Sequence, residues 1–210
     1  MLSCTNISYI IDQQKILNKL SFKLKQGEHL LILGESGSGK TTLLAMLAGL
    51  LTPNSGEIIY DDKKLYQLNN KERDKFRGKN IGIIFQNFHL IQSLSICENL
   101  EVAAQMSGQK IEQQQINNYL KELGLAGKGK YKPNELSVGQ AQRVAVLRSF
   151  VSKPKWLLCD EPTSALDAAN TKKLLDLLKK EAKKQQASII IATHDLRVKD
   201  YFKNDKILEL

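Results

Sequence analysis

Apolar positions recur along this chain at two spacings, and each change of spacing marks a new element. Residues 2–9, 16–24 and 29–33 alternate or run apolar and are predicted strands, with a turn at Gln26-Gly27-Glu28 before the third. Over 39–50 the leucines Leu43, Leu44, Leu47 and Leu50 return at helical spacing. Pro53-Asn54-Ser55-Gly56 signals a turn, and a short strand follows over 57–60. Residues 81–85 are apolar throughout, which predicts a strand covered on both faces. Helical spacing then governs 96–106, 111–123 and 139–152, interrupted by Gly127, Gly129 and Pro133. Residues 156–160 revert to a buried strand and 167–184 to a long helix. A strand over 188–192, a short helix opening at Asp195 and an edge strand over 207–210 complete the chain.

Strands that alternate with helices predict an α/β fold with a parallel sheet. The run of helices from 95 to about 152 reads as a lobe inserted between two core strands. A length of 210 residues suits one domain of this kind.

Composition alters the picture only at its margins. The hydrophobic share of 42% is enough to bury a core. No apolar run approaches the roughly 20 residues of a membrane-spanning helix. The first residues lack the basic start and apolar stretch of a secretory signal. Cys4, Cys97 and Cys159 are far apart and in no ligand spacing, which fits a reducing compartment and a cytoplasmic location. The formal net charge is +9, and Lys172, Lys173, Lys179, Lys180, Lys183 and Lys184 flank Leu174, Leu175, Leu177 and Leu178. That is the solvated face of an amphipathic helix. The same charge would also suit anionic lipid or, as a third alternative, nucleic acid.

The chemistry concentrates at two places. Gly34, Gly39, Lys40 and Thr41 fit the spacing G-x-x-x-x-G-K-[ST], with Glu35, Ser36, Gly37 and Ser38 between and Thr42 after. The motif stands between a predicted strand and a predicted helix, as a phosphate-cradling P-loop requires. Gly34, Gly37 and Gly39 are expected to take positive φ and turn amides toward phosphate oxygens, aided by the helix N-terminus. Lys40 is expected on the β- and γ-phosphates of ATP and Thr41 on Mg²⁺. The second place is the end of the strand at 156–160. A parallel sheet delivers carboxylates at its C-terminal edge, so Asp160 is placed for Mg²⁺ and Glu161 to polarise an attacking water.

Further segments carry a family resemblance. Leu136-Ser137-Val138-Gly139-Gln140-Ala141-Gln142-Arg143-Val144 resembles the signature motif of ABC-type ATPases, usually Leu-Ser-Gly-Gly-Gln, with Val138 as the departure. Asp160 to Asp167 resembles their second nucleotide motif running into the D-loop, and Thr193-His194-Asp195 their switch-histidine segment. Phe85-Gln86 resembles the Q-loop, and Tyr9 the aromatic that stacks on adenine. The order and spacing match over nearly the whole chain.

The resemblance implies a P-loop NTPase (RecA-like) core with an N-terminal antiparallel β subdomain and an inserted α-helical subdomain. Residues 1–86 and 153–210 would form the core, and 87–152 the helical subdomain bearing the signature. It also implies ATP hydrolysis with Mg²⁺, Gln86 near the metal or lytic water, and His194 on the γ-phosphate. Ser137, Gly139 and Gln140 would face ATP held by a second copy in a head-to-tail dimer. Val138 is expected to impair that contact by restricting φ. The stretch from Phe85 to Leu100 is similar to the branch of lipoprotein-releasing, macrolide-exporting and cell-division ATPases. Its implied partner is a separate membrane permease, with the chain peripheral on the inner face of the membrane; nucleic acid is not expected.

Overall fold

The computed structural model describes all 210 residues. The chain opens with two long antiparallel strands, β1 (Leu2–Ile11) and β2 (Gln14–Leu24), and then turns through Gly27 into β3 (Leu30–Leu33). Every residue of β3 is buried. The segment 34–39 leads into α1 (Lys40–Leu47), shorter than the predicted helix because Gly39 caps one end and Gly49, at φ 69°, stops the other. β4 (Ser55–Tyr60) and the two-residue β5 (Lys63–Lys64) follow. They join the first two strands in an antiparallel sheet of order β2-β1-β4-β5.

Next comes α2 (Asn70–Asn80), which apolar spacing did not predict. None of its residues is buried, so no stripe marks it. What starts it is a capping box: Asn69 accepts from the Glu72 amide while the Glu72 carboxylate accepts from the Asn69 amide. β6 (Ile81–Ile84) then enters the core, and three helices follow, α3 (Ile96–Met106), α4 (Gln113–Glu122) and α5 (Val138–Val151). The remainder is β7 (Trp156–Asp160), α6 (Ala168–Gln185), β8 (Ser188–Thr193), α7 (Leu196–Tyr201) and β9 (Lys206–Glu209).

Five strands make a parallel sheet in the order β6-β7-β8-β3-β9. Its two faces are covered differently, and the alternation is visible within β3. Leu30 and Ile32 join a cluster with α1 and the antiparallel sheet. Leu31 and Leu33 join another, with Leu174, Leu175 and Leu178 of α6 and Phe150 of α5. Burying each such leucine is worth about 1.5–3 kcal/mol. A third cluster, from Leu90 to Val151, belongs to the helices between β6 and β7. Lys172, Lys173, Lys180, Lys183 and Lys184 of α6 are exposed, as the amphipathic pattern predicted, but Lys179 is not: it is half-buried over Phe202, with its ammonium 3.2 Å from Asp205.

Candidate nucleotide site

Three neighbouring strands end at the same edge, and the candidate residues lie just beyond them. Leu33 of β3 is in register with Thr193 of β8, and Ala192 of β8 with Asp160 of β7. With β8 between them, the ends of β3 and β7 lie about 9.6 Å apart, two strand spacings. In parallel sheets this C-terminal edge is where ligands bind.

The segment from Gly34 to Gly39 is tightly built. Gly37 and Gly39 take φ of 84° and 97°, as expected of a loop that turns its amides inward. Gly34 does not, and here the expectation is corrected: its glycine is required by space. A Cβ on Gly34 would stand 2.4 Å from Ser38 Oγ and 2.9 Å from the Leu210 carbonyl. Gly39 is restricted twice, since a Cβ there would also meet Ile16 and Leu17 of β2 at 3.0–3.1 Å. Tyr9 is paired with Leu17 across β1 and β2, so this register places the aromatic beside the loop. Glu35, Ser36 and Gly37 are exposed along the loop's outer side, and Thr42 lies within α1.

Lys40 opens α1 with its ammonium directed back over the loop. It donates to the carbonyls of Gly34 and Glu35, both at 2.8 Å, and lies 3.8 Å from Glu161 Oε1. Only 6% of this lysine is exposed, so its charge is held by fixed dipoles and one carboxylate. The Thr41 hydroxyl donates to Asp160, at 2.9 and 3.1 Å from its two oxygens. Burial pushes the Asp160 carboxyl above its usual range, and the Glu161 charge adds to this. The Thr41 hydrogen bond and Lys40 pull the other way.

Glu161 is the most constrained of the set. Its φ is 44°, in the left-handed region that non-glycine residues rarely occupy. Its amide donates to Ala192 O, which pins the backbone to β8. Its carboxylate accepts from the Thr193 hydroxyl at 2.8 Å and from His194 Nδ1 at 2.8 Å. Thr193, within the switch segment, is a further site residue, holding the second carboxylate oxygen. Its signal was its position at the end of a buried strand.

Gln86 lies two residues past Ile84, whose register partner is Cys159, so it leaves the sheet at the same edge. It is exposed and hydrogen-bonded to none of the residues above. Ser137, Gly139 and Gln140 also stand apart from them. Ser137 caps α5, accepting from the Gln140 amide while Gln140 Oε1 accepts from the Ser137 amide. A Cβ on Gly139 would meet nothing within 4 Å, so the face of this helix start is open. Val138 is the first residue of α5 and is 57% exposed. Its backbone has no positive φ, and the expected harm through restricted φ is corrected accordingly. What valine adds is bulk on an open face.

There is no cluster of three or more His, Cys, Asp or Glu side chains that could hold a metal by themselves. One hydroxyl and one carboxylate whose ionisation burial disfavours are what Mg²⁺ takes when substrate phosphates and water supply the other ligands.

Comparison with known proteins agrees with this fold. Residues 17–164 match the family model described as ABC transporter. The chain is 38% identical over 202 residues to the putative hemin import ATP-binding protein HrtA of Staphylococcus aureus strain Newman, covering 95% of this chain and 90% of that one. Among solved structures, it is similar to the dimeric post-hydrolysis state of the ATP-binding cassette MJ0796 bound to ADP and Pi. The TM-score is 0.87 at 32% identity, covering 100% of this chain and 94% of the other. It is also similar to cbiO1 of Clostridium perfringens, part of the ABC transporter complex cbiONQ. There the TM-score is 0.80 at 33% identity, covering 93% of this chain and 78% of that one.

Proposed function

The chain belongs to the ABC transporter family, and from that premise we propose how its site works and what it drives. It is an ATP-binding ATPase. The P-loop amides and Lys40 bind the β- and γ-phosphates, and Tyr9 stacks on adenine. Thr41 and Asp160 would hold Mg²⁺ together with the phosphates, and Gln86 would serve the metal or the lytic water. The ion would neutralise charge that develops on the transferred phosphoryl group.

Glu161 accepts the proton of the attacking water, and His194 shares the position of its carboxylate and meets the γ-phosphate. Thr193 fixes the other carboxylate oxygen. The observation that carries this reading is that Lys40, Thr41, Asp160, Glu161 and His194 converge on one sheet edge. The α5 start, with Ser137, Gly139 and Gln140, makes no hydrogen bond to that cluster. As the family resemblance implies, a second copy supplies these groups, so that two ATP molecules are sandwiched head to tail. The dimeric form of the MJ0796 cassette supports this arrangement.

The dimer drives a separate membrane permease of the lipoprotein-, lipid- or drug-export type, and the chain works at the cytoplasmic face. No helix here is long and apolar enough to cross a membrane. A groove of about 520 Å³ between α2, α3 and α5, lined by Ile91, Val102, Ala103 and Met106, suits a helical segment of that partner. Met106 is 77% exposed within it. The test is purification from membranes in mild detergent, with ATPase measured with and without the co-purifying chain. An integral membrane partner that stimulates turnover is expected; recovery only with RNA or ribosomes would refute the assignment.

A further inference from the structure

Helix α5 begins at the signature and runs for 14 residues over the core. It lies close on β6: a Cβ on Gly82 would stand 2.3 Å from the Ser149 carbonyl, so only glycine admits the helix at this depth. Val146 and Phe150 join the apolar cluster under the parallel sheet, while Val144, Ala145 and Leu147 join that of the helical lobe. The helix is thus seated in both halves.

Two polar side chains on it do something packing does not require. Gln142, 4% exposed, donates from Nε2 to the Pro162 carbonyl at 2.6 Å. Pro162 directly follows Glu161, whose left-handed backbone is also held by its amide bond to Ala192 and by Ser164. Arg148, half-buried, donates to the carbonyls of Phe88, at 2.8 Å, and His89. These lie two and three residues past Gln86, and His89 is itself left-handed at φ 48°. No carboxylate is within ion-pair distance of Arg148. A guanidinium that gives up water to bind only two backbone carbonyls fixes a loop without gaining a salt bridge.

We propose that Gln142 and Arg148 are positioning residues of the ATPase reaction, tying α5 to the loops that carry Glu161 and Gln86. The proposal rests on the sandwich reading above and deepens it. The helix end that meets a partner's nucleotide is then rigidly joined to the general base and the glutamine of its own subunit's site. A displacement of α5 on dimer closure reaches both loops through these two contacts, so each copy's site registers the state of the other.

The test uses the full-length protein and two conservative variants. Gln142→Glu keeps the shape but presents an acceptor to a carbonyl at neutral pH. Arg148→Lys keeps the charge but loses the two-pronged geometry. Each variant is expected to lower kcat about tenfold while KM for ATP changes less than about twofold; Tm is nearly unchanged in Arg148→Lys, whereas the buried carboxylate of Gln142→Glu lowers Tm at neutral pH and less so as pH falls. In Gln142→Glu, kcat relative to wild type is expected to recover as pH falls and the carboxyl regains a donor. If only one variant folds, the same kcat-against-KM split in that one decides. Wild-type kcat in both variants would overturn the proposal. So would a loss of kcat matched by equal losses of ATP affinity and Tm, which marks a structural role alone. An absence of ATPase from the wild-type protein would instead refute the functional reading on which the proposal rests.

Discussion

His194 Nδ1 lies 2.8 Å from Glu161 Oε1, and the two side chains differ sharply in exposure: 64% for the histidine, 13% for the glutamate. The buried carboxylate is held from its other oxygen by Thr193, so it stays while the exposed ring is free to swing toward a phosphate. His194→Ala should therefore lower kcat by about a hundredfold with ATP affinity nearly kept. Single-turnover hydrolysis set against nucleotide binding checks this, and equal loss in both would contradict it.

The Thr41–Asp160 contact makes a separate claim about metal. Burial disfavours the Asp160 charge, so a cation placed there is favoured by relieving it. Asp160→Asn should keep the fold and ATP binding but raise the Mg²⁺ concentration needed for half-maximal turnover by about tenfold or more. A Mg²⁺ titration of the ATPase rate reads this directly, and an unchanged midpoint would remove Asp160 from the metal's surroundings.

Val138 is a matter of bulk. Placing glycine at this first helical position should cost at most about 1 kcal/mol of stability. It uncovers the α5 start for a partner's phosphate, so Val138→Gly should form the ATP-dependent dimer more tightly and turn over faster. Steady-state rates identical to wild type would refute this.

Asp195, next to His194, supplies a pH test read on stability rather than on turnover. Hydrogen bonds from Arg197, then from Thr163 and the Arg197 amide, hold its carboxyl down at about 2, below the ordinary 3.8. A depressed carboxyl stabilises the fold above its unfolded value and loses that contribution as pH falls through the folded one. Asp195→Asn should therefore lower Tm at pH 7, and the gap should narrow as pH drops below about 4. Melting curves from pH 7 to 3 decide it, and a gap independent of pH would exclude the charge as cause.

Much of this was legible in the residue pattern, for reasons that differ by element. The buried strands stand out because both faces of the parallel sheet are covered, so 81–84 and 156–160 read as continuous apolar runs. The P-loop was legible because its glycines and lysine are set by phosphate geometry rather than by packing. α2 was not, because a helix with no buried residue leaves no stripe, although Asn69 and Glu72 spelled its start. The need for glycine at position 34 was legible but its cause was not, since Leu210 comes from the far end of the chain. The contacts of Gln142 and Arg148 leave no mark on the sequence for the same reason. Their partners are backbone carbonyls 20 and about 60 residues away, and carbonyls have no sequence signature.

The central claim is that half of each hydrolytic site belongs to a second copy. Sedimentation of Glu161→Gln with ATP, in the presence of the membrane partner if one is required, tests it most directly. This change removes the general base but leaves Lys40, Thr41 and the α5 start intact. A doubling of the ATPase mass with ATP, reversed by ADP and absent in the double variant with Lys40→Ala, is the predicted result. A variant that binds ATP and remains a monomer would contradict the account.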